Sequence, residues 1–461
     1  MKKIELLAPA GNLEKLKIAL IYGADAVYFG LPGFSLRARA SDFRKEEIIE
    51  GVNLCREQGK KFYVALNIYA HNVHIDNLKP QLEFVKKIKP DGIILSDPGI
   101  LRMVKKYLPE IDIHISTQAN ATNKEAAKFW AEQGAKRIIL AREVSLKEIK
   151  EIKKAVPKVE LECFVHGAMC MAYSGRCILS KWMLNRSANL GDCAQPCRWK
   201  YHGNSNHSFN KSDKKPPLTR DTVFFTLLSK LWRVIRNLFK RQIPIYQGSQ
   251  SYLKSKIVDD KNRFEIDLEE DQNGTYLFNS NDICLIEHLK ELQEAGIDSF
   301  KIEGRTKSVY YTAMVVRAYK KVINSLQGAE PQASKELIKK QKEELENLSN
   351  RGYWKGFMFQ NEPPHLFDKA SMEAKFMFIG ISLEYFQKKN SFIRKVFVHN
   401  SFKKDDIVEA VTPEEIYETK IINIKDEFGV ELESAHGGQD KIFLIEFDKK
   451  IKGFFALRKN L

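Results

Sequence analysis

Four of the chain's seven cysteines fall within one stretch, HGAMCMAYSGRCILSKWMLNRSANLGDCAQPCRW, which runs from His166 to Trp199. They are Cys170, Cys177, Cys193 and Cys197, in the spacing Cys-x6-Cys-x15-Cys-x3-Cys. In a reducing compartment, clustered thiols more often bind metal or do redox chemistry than pair as disulfides. Structural zinc usually takes its thiolates from tight Cys-x2-Cys knuckles, and the stretch contains none. Iron-sulfur clusters are also held by four thiolates, with more varied spacing. The spacing therefore leaves three readings open: an iron-sulfur cluster, a zinc ion, or unliganded buried thiols. Cys55, Cys163 and Cys284 sit in apolar helix or strand patterns and read as core residues.

Whatever these groups do, a scaffold must place them. Val- and Ile-rich runs alternate with helical patterns, a rhythm that argues for a parallel sheet. The strand candidates are Ile4–Ala8, Ala26–Gly30, Phe62–Asn67, Gly92–Ser96, Ile113–Thr117, Arg137–Ala141, Glu160–Val165 and Ser299–Gly304. Eight such units suggest a TIM-like (β/α)8 barrel, with an open doubly wound sheet as the rival. Over a hundred residues separate the seventh strand from the eighth, so the barrel carries a long insertion there, and the cysteines lie at its start.

Barrels of this kind place their chemistry at the C-terminal ends of the strands. Reading just past each strand gives Arg37 and Arg39, Asn67, Asp97, Gln118 with Asn120, Arg142 with Glu143, His166, and Glu303 with Arg305. Each alone could be an ordinary solvated loop residue. Their recurrence at nearly every strand end points to a polar rim. Ser308 could cap the following helix, whose first amides, with Arg305 and Lys307, would hold a carboxylate or phosphate.

The organisation expected is a barrel over 1–330 with its Cys cluster at 163–199 and a basic insertion at 203–256, a helix and linker over 331–370, and a small β-barrel over 371–461. The strands expected in that last domain are FIRKVFVHN, DIVEAV, ETKIINI, GVELES and DKIFLIEF. Much of the formal net charge of +16 is local. The insertion holds eleven Lys and Arg against Asp213 and Asp221, and its segment Thr222 to Arg241 reads as an amphipathic basic helix. Such a helix suits RNA, a membrane surface or a partner protein, although packing on the barrel would serve its apolar stripe equally. MKKIELLAPAGN reads as neither a secretory signal nor a transit peptide, and no run approaches the roughly 20 apolar residues of a membrane span. A cytoplasmic location is expected.

The segments ELLAPAGNLEKLKIAL, GADAVYFG, FSLRARASDF, ECFVHGAMCMAYSGRCILS, CAQPCRW, EEDQNGTYLFNSNDICLIEHLKEL and GIDSFKIEGRTKSVYY together resemble the collagenase-like peptidase family U32, and within it the tRNA hydroxylation branch. The resemblance covers nearly the whole chain. It implies formation of 5-hydroxyuridine at the tRNA wobble position, with prephenate as hydroxyl source. It also implies an iron-sulfur cluster, of 4Fe-4S type, on Cys170, Cys177, Cys193 and Cys197, and an electron-transfer partner. Arg37, Arg39, Arg142 and Arg305 are then candidates for the prephenate carboxylates, because guanidinium forks pair bidentately with such groups. Glu143 and Lys307 join them as substrate- or anion-binding candidates, and His166 and Glu303 are candidates for proton transfer. The basic insertion after CRWKY departs from the family pattern.

Two other functions compete. A peptidase needs an activated nucleophile or a metal-bound water; the chain has no HExxH or GxSxG, which leaves only Cys170 with His166. A noncatalytic RNA-binding protein is the other.

Overall fold

Each barrel unit begins with a short apolar strand, and several pass through a polar residue that caps the next helix. The side chain of Asn12 accepts from the Lys15 amide, Asp97 from Gly99 and Ile100, Asn123 from Glu125 and Ala126, and Ser145 from Glu148. Ser308 does the same for the long helix Val309–Gln327, accepting from the Tyr311 amide at 3.1 Å. The computed structural model describes residues 3–35, 43–170, 172–177, 179–184, 186, 190, 192–198, 201–203, 253–259, 265–270, 280–327, 334–360, 372–383, 392–438 and 442–461. Arg37, Arg39 and the expected helix Thr222 to Arg241 lie outside these residues.

The barrel strands are β1 (Glu5–Pro9), β2 (Ala26–Gly30), β3 (Lys61–Leu66), β4 (Gly92–Leu95), β5 (Ile113–Ile115), β6 (Ala135–Ile139) and β7 (Glu160–Ala168), followed in space by Ser299–Ile302. That last strand pairs in parallel with both β1 and β7, so the sheet closes and the open-sheet alternative falls. The strands that follow β7 in the chain are β8 (Tyr201–Gly203), β9 (Leu253–Asp259) and β10 (Glu265–Glu270). They form an antiparallel sheet in a compact unit of their own, Trp199–Leu277, where Lys254 and Lys256 stand in register with Glu269 and Asp267.

Beyond Phe164, β7 overruns the barrel. Its end pairs antiparallel with β11 (Asp282–Cys284), and β12 is the barrel strand Ser299–Ile302. A two-residue strand, β13 (Tyr353–Trp354), then extends this flap through β11, fixed by a buried ion pair from Arg351 Nη2 to Asp282 Oδ1 at 2.6 Å. The segment read from sequence as a linker is thus part of the barrel's own sheet.

The barrel interior is layered. Midway up, Leu7, Ala26, Tyr28, Ile94, Ile139 and Phe164 pack together. Toward the strand N-termini the filling is charged. Arg137 Nη1 reaches Glu5 at 2.6 Å and Glu162 at 2.9 Å, and its Nη2 reaches Glu160 at 2.7 Å. Lys301 Nζ holds the other Glu162 oxygen at 2.7 Å, while Tyr63 and Ser299 donate to Glu5. Every carboxylate here has a cation or hydroxyl partner, the condition under which buried charge is tolerated.

The C-terminal domain is a closed antiparallel barrel of β14 (Phe376–Ser382), β15 (Ile393–Val398), β17 (Ile407–Val411), β18 (Ile416–Lys425), β20 (Ile442–Phe447) and β21 (Ala456–Asn460), with β16 (Phe402–Lys403) and β19 (Ser434–Ala435) as a separate pair. Four of the five expected strands are present. GVELES is not a barrel strand: it leaves a hairpin tip at Gly429 and makes one bridge, Glu431 to Lys425, before β19. The two strands at the domain's ends were not expected, β21 because Arg458 and Lys459 mask it. Arg458 is buried, bound to Glu344 at 2.7 Å and Glu409 at 2.6 Å. This domain is bolted to the first barrel through Tyr22, whose hydroxyl donates to the Val411 carbonyl at 2.6 Å and accepts from the Ala456 amide at 2.9 Å.

Candidate active site at the barrel mouth

After β7 the chain returns across the mouth, and the strand ends grip it. The Ser174 amide donates to Glu143 Oε1 at 2.8 Å, and its hydroxyl accepts from the Arg142 amide at 3.3 Å. The Tyr69 hydroxyl stands 2.8 Å from the carbonyl oxygens of both Gln118 and Gly175. Gly175 has φ +77°, and a Cβ there would lie 2.5 Å from both the Gln118 oxygen and the Tyr69 hydroxyl, so only glycine lets the segment sit this close. Residues following β3, β5 and β6 therefore position the first two thiols.

Cys177, Cys193 and Cys197 are half-buried and Cys170 is exposed. Burial pushes the Cys177 thiol up, while amide donors at Leu179 and Ser180 pull it down, and the neighbouring thiols of Cys170 and Cys193 oppose its ionisation. The Cys193 loop is tied back where the Ala194 amide donates to Ser180 Oγ at 3.0 Å. Among the described residues no three His, Cys, Asp or Glu side chains converge as the ligands of one ion do. Neighbouring thiols, half-buried and supplied with amide donors, would fit a thiolate-held metal group.

Beside Cys177 opens a cavity of about 420 Å³, lined also by Tyr69, Ser96, Gln118, Trp130 and Arg176. On the other side of the mouth the side chains are cationic. Arg142 lays its guanidinium 4.1 Å from the centre of the Phe164 ring, and its Nε is buried without a partner. Arg305, buried, donates to Ser35 Oγ at 3.3 Å and lies 6.0 Å from the Tyr28 ring. Lys307 stands 5.3 Å from the Tyr311 ring.

The structure gives three of these residues contacts of their own. Glu143 Oε1 accepts from the Ser174 amide and so clasps the backbone of the Cys segment. Asp97 is consumed as a helix cap. His166 does not face the mouth. The β7–β12 register slips between Lys301 and Ile302, a bulge that turns His166 to the side where Ile302 packs, into the helix layer. There it meets the rings of Tyr311, Tyr319 and Tyr353 at 5.8, 5.4 and 5.3 Å. The Tyr319 hydroxyl donates to the Val165 carbonyl at 2.7 Å, so its contact with His166 Nδ1 at 3.3 Å requires the imidazole to donate. Nε2 then carries the lone pair, buried and without a partner. Burial drives this imidazole down to about 3, which leaves a poor base at neutral pH. Glu303, also buried, shares this neighbourhood: its amide donates to the His166 carbonyl and its carbonyl accepts from the Tyr311 hydroxyl at 2.9 Å.

The model of peptidase family U32 matches residues 11–367. The chain belongs to that family. It is 38% identical to tRNA hydroxylation protein P of Escherichia coli strain K12, over 90% of this chain and 87% of that one. It is 37% identical to tRNA hydroxylation protein P1 of Bacillus subtilis strain 168, over 100% of this chain and 95% of that one. A further relative, the 23S rRNA 5-hydroxycytidine C2501 synthase of E. coli strain K12, is 31% identical over 70% of this chain and 40% of its own.

In this U32 protein the groups that sequence reasoning missed are the ones that hold others. Tyr69 carries no motif, and Ser174, although inside the Cys segment, gains its role only from the fold. Trp130 reads as one face of an amphipathic helix. The charged barrel floor did leave a signal. Alternation in ELECFV puts Glu160, Glu162 and Phe164 on one face, a pattern normally read as solvent-facing that a closed barrel turns inward.

Proposed function

We propose that this protein hydroxylates the wobble uridine of tRNA to 5-hydroxyuridine, with prephenate as the source of the hydroxyl group. The observation that carries the reading is the near full-length relationship to proteins named for tRNA hydroxylation. A relative named for hydroxycytidine formation in rRNA supports the broader chemistry. Cys170, Cys177, Cys193 and Cys197 would hold an iron-sulfur cluster. Such a cluster supplies one-electron transfer beside the bound substrate, and an electron-transfer partner would exchange electrons with it.

The chain's own residues divide the remaining work. Arg142, Arg305 and Lys307 offer guanidinium and ammonium donors to the two carboxylates of prephenate, with Arg37 and Arg39 completing the set. Glu303 is the proton-transfer candidate. His166, neutral and walled by tyrosines, supports the strand end that carries it. Ser174, Glu143 and Tyr69 keep the Cys segment against the mouth. The basic insertion supplies charge for the RNA backbone.

The test is nucleoside mass spectrometry of tRNA from a host lacking 5-hydroxyuridine derivatives, carrying this gene or its Cys193→Ala variant. Restoration by the first alone is expected. Failure of both, with folded protein that contains iron and sulfide, would reject the substrate. Proteolysis by Cys170 with His166 as base is the second reading suggested by the family's name. Against it stand a base depressed to about 3 and the partners of His166, since Nδ1 faces Tyr319 and Nε2 faces none.

A further inference from the structure

The two sides of the mouth offer different chemistry. Toward β6 and β12 stand Arg142, Arg305 and Lys307, cations set on aromatic rings and of the kind that pairs with carboxylates. Toward β3, β4 and β5 lies the cavity of about 420 Å³ beside Cys177, and its lining is neutral and aromatic apart from one arginine. Trp130 and Tyr69 supply ring surfaces, Ser96 a hydroxyl and Gln118 a carboxamide. Arg176, exposed, is the cation at this cavity.

Gln118 is the informative group. Its Oε1 lies against Gly175, buried without a hydrogen-bond partner, a cost that is relieved when the carboxamide turns to meet a donor in the cavity. Its backbone is held in place: a 3-10 turn, Thr117–Ala119, follows β5, and the Tyr69 hydroxyl and Gly175 pack against the Gln118 carbonyl. Ser96 Oγ donates weakly to the Asn67 carbonyl at 3.5 Å, which leaves its lone pairs for another donor. A dianionic acid would find one cation here and a buried oxygen that repels it. A planar, neutral heterocycle with adjacent N–H and C=O groups matches every element of the lining.

We infer that this cavity receives the target pyrimidine, swung out of its RNA strand, with the Gln118 carboxamide paired to its N3–H and O4 edge. Trp130 and Tyr69 flank the ring, and Arg176 meets the phosphate at the cavity's edge. Enzymes that modify a base commonly extrude it into such a pocket, reading its pairing edge and stacking it against aromatic side chains. The inference rests on the RNA-hydroxylation reading and adds to it the place of the base. Base and acid would then occupy opposite halves of one mouth, with Cys177 lining the base's half.

The experiment uses the full-length protein and a synthetic tRNA anticodon stem–loop with 5-iodouridine at the wobble position, irradiated and mapped by peptide mass spectrometry. Hydroxylation of the unlabelled stem–loop is followed in parallel. Adducts are expected on peptides containing Tyr69 or Trp130. Gln118→Leu should lower their yield about tenfold, the equivalent of one bidentate base contact. Arg176→Gln, at an exposed position that leaves the fold intact, should lower it several-fold. Hydroxylation with adducts only on the Arg142 or Arg305 peptides, within 371–461, or nowhere, would overturn the cavity assignment and leave the function standing. The cavity assignment falls equally if Gln118→Leu and Arg176→Gln both crosslink like the parent. Adducts at Tyr69 or Trp130 without hydroxylation would keep the base site and reject the reaction. Neither adducts nor hydroxylation would reject both.

Discussion

His166 shows how far one side chain's environment can depart from its place in the sequence. Folded, its imidazole is held near 3 by burial; unfolded, it protonates around 6.5. Between those values the unfolded chain binds more protons, so stability falls as the pH drops below about 6.5, by about 1.4 kcal/mol per unit at most, and is whole above it. Urea midpoints measured from pH 7.5 to 4.5 should fall less steeply for His166→Asn than for the parent; parallel slopes would contradict the assignment. Glu143 acts at the same scale through the Ser174 amide. Glu143→Ala leaves that donor without its carboxylate, a loss of about 1–3 kcal/mol. Hydrogen exchange in the peptide spanning 172–177 should quicken, with the rest of the barrel unaffected. Unchanged exchange would remove Glu143 from its positioning role.

At the scale of elements, β7 does two jobs. Its first half is a barrel stave, and its second, past the bulge, is the root of a flap shared with β11 and β13. Gly167 lies in that second half at φ +108°, where a Cβ would come 2.7 Å from the Glu303 oxygen and 3.0 Å from the Tyr311 hydroxyl. Gly167→Ala should cost on the order of 2–3 kcal/mol, from a strained backbone and displaced neighbours, read as a lowered denaturation midpoint. The eight staves were legible because each carries its own apolar period, and five of the helices because a capping residue precedes them. The four thiols were legible by type and spacing alone. The bulge was not, since a one-residue slip leaves no mark on composition, and it decided which way His166 points. The Tyr69 and Ser174 clasps were equally hidden, being contacts between residues 106 and 31 positions apart.

For the whole molecule, the C-terminal barrel shares buried hydrogen bonds with the first one, so the two should unfold together. Tyr22→Phe strips partners from both Val411 and Ala456, and should lower stability by about 2 kcal/mol or more. A second transition in calorimetry of the parent would contradict the coupling. Removing 203–256 tests the chain's local charge. Binding that uses several phosphate contacts weakens roughly 10³-fold or more between 50 and 200 mM salt. The deletion should flatten that dependence, and an unchanged slope would show that the segment does not clamp RNA.

The charged floor built on Arg137, Glu5, Glu162 and Lys301 has one more effect, on traffic. It fills the barrel's lower end, so under the proposed function both reactants would enter at the mouth. A small acid held deep on the cationic side would be shut in once an RNA loop settles over the opening. Addition would then be ordered, acid before RNA, and departure reversed, with the modified RNA leaving before the spent acid can escape.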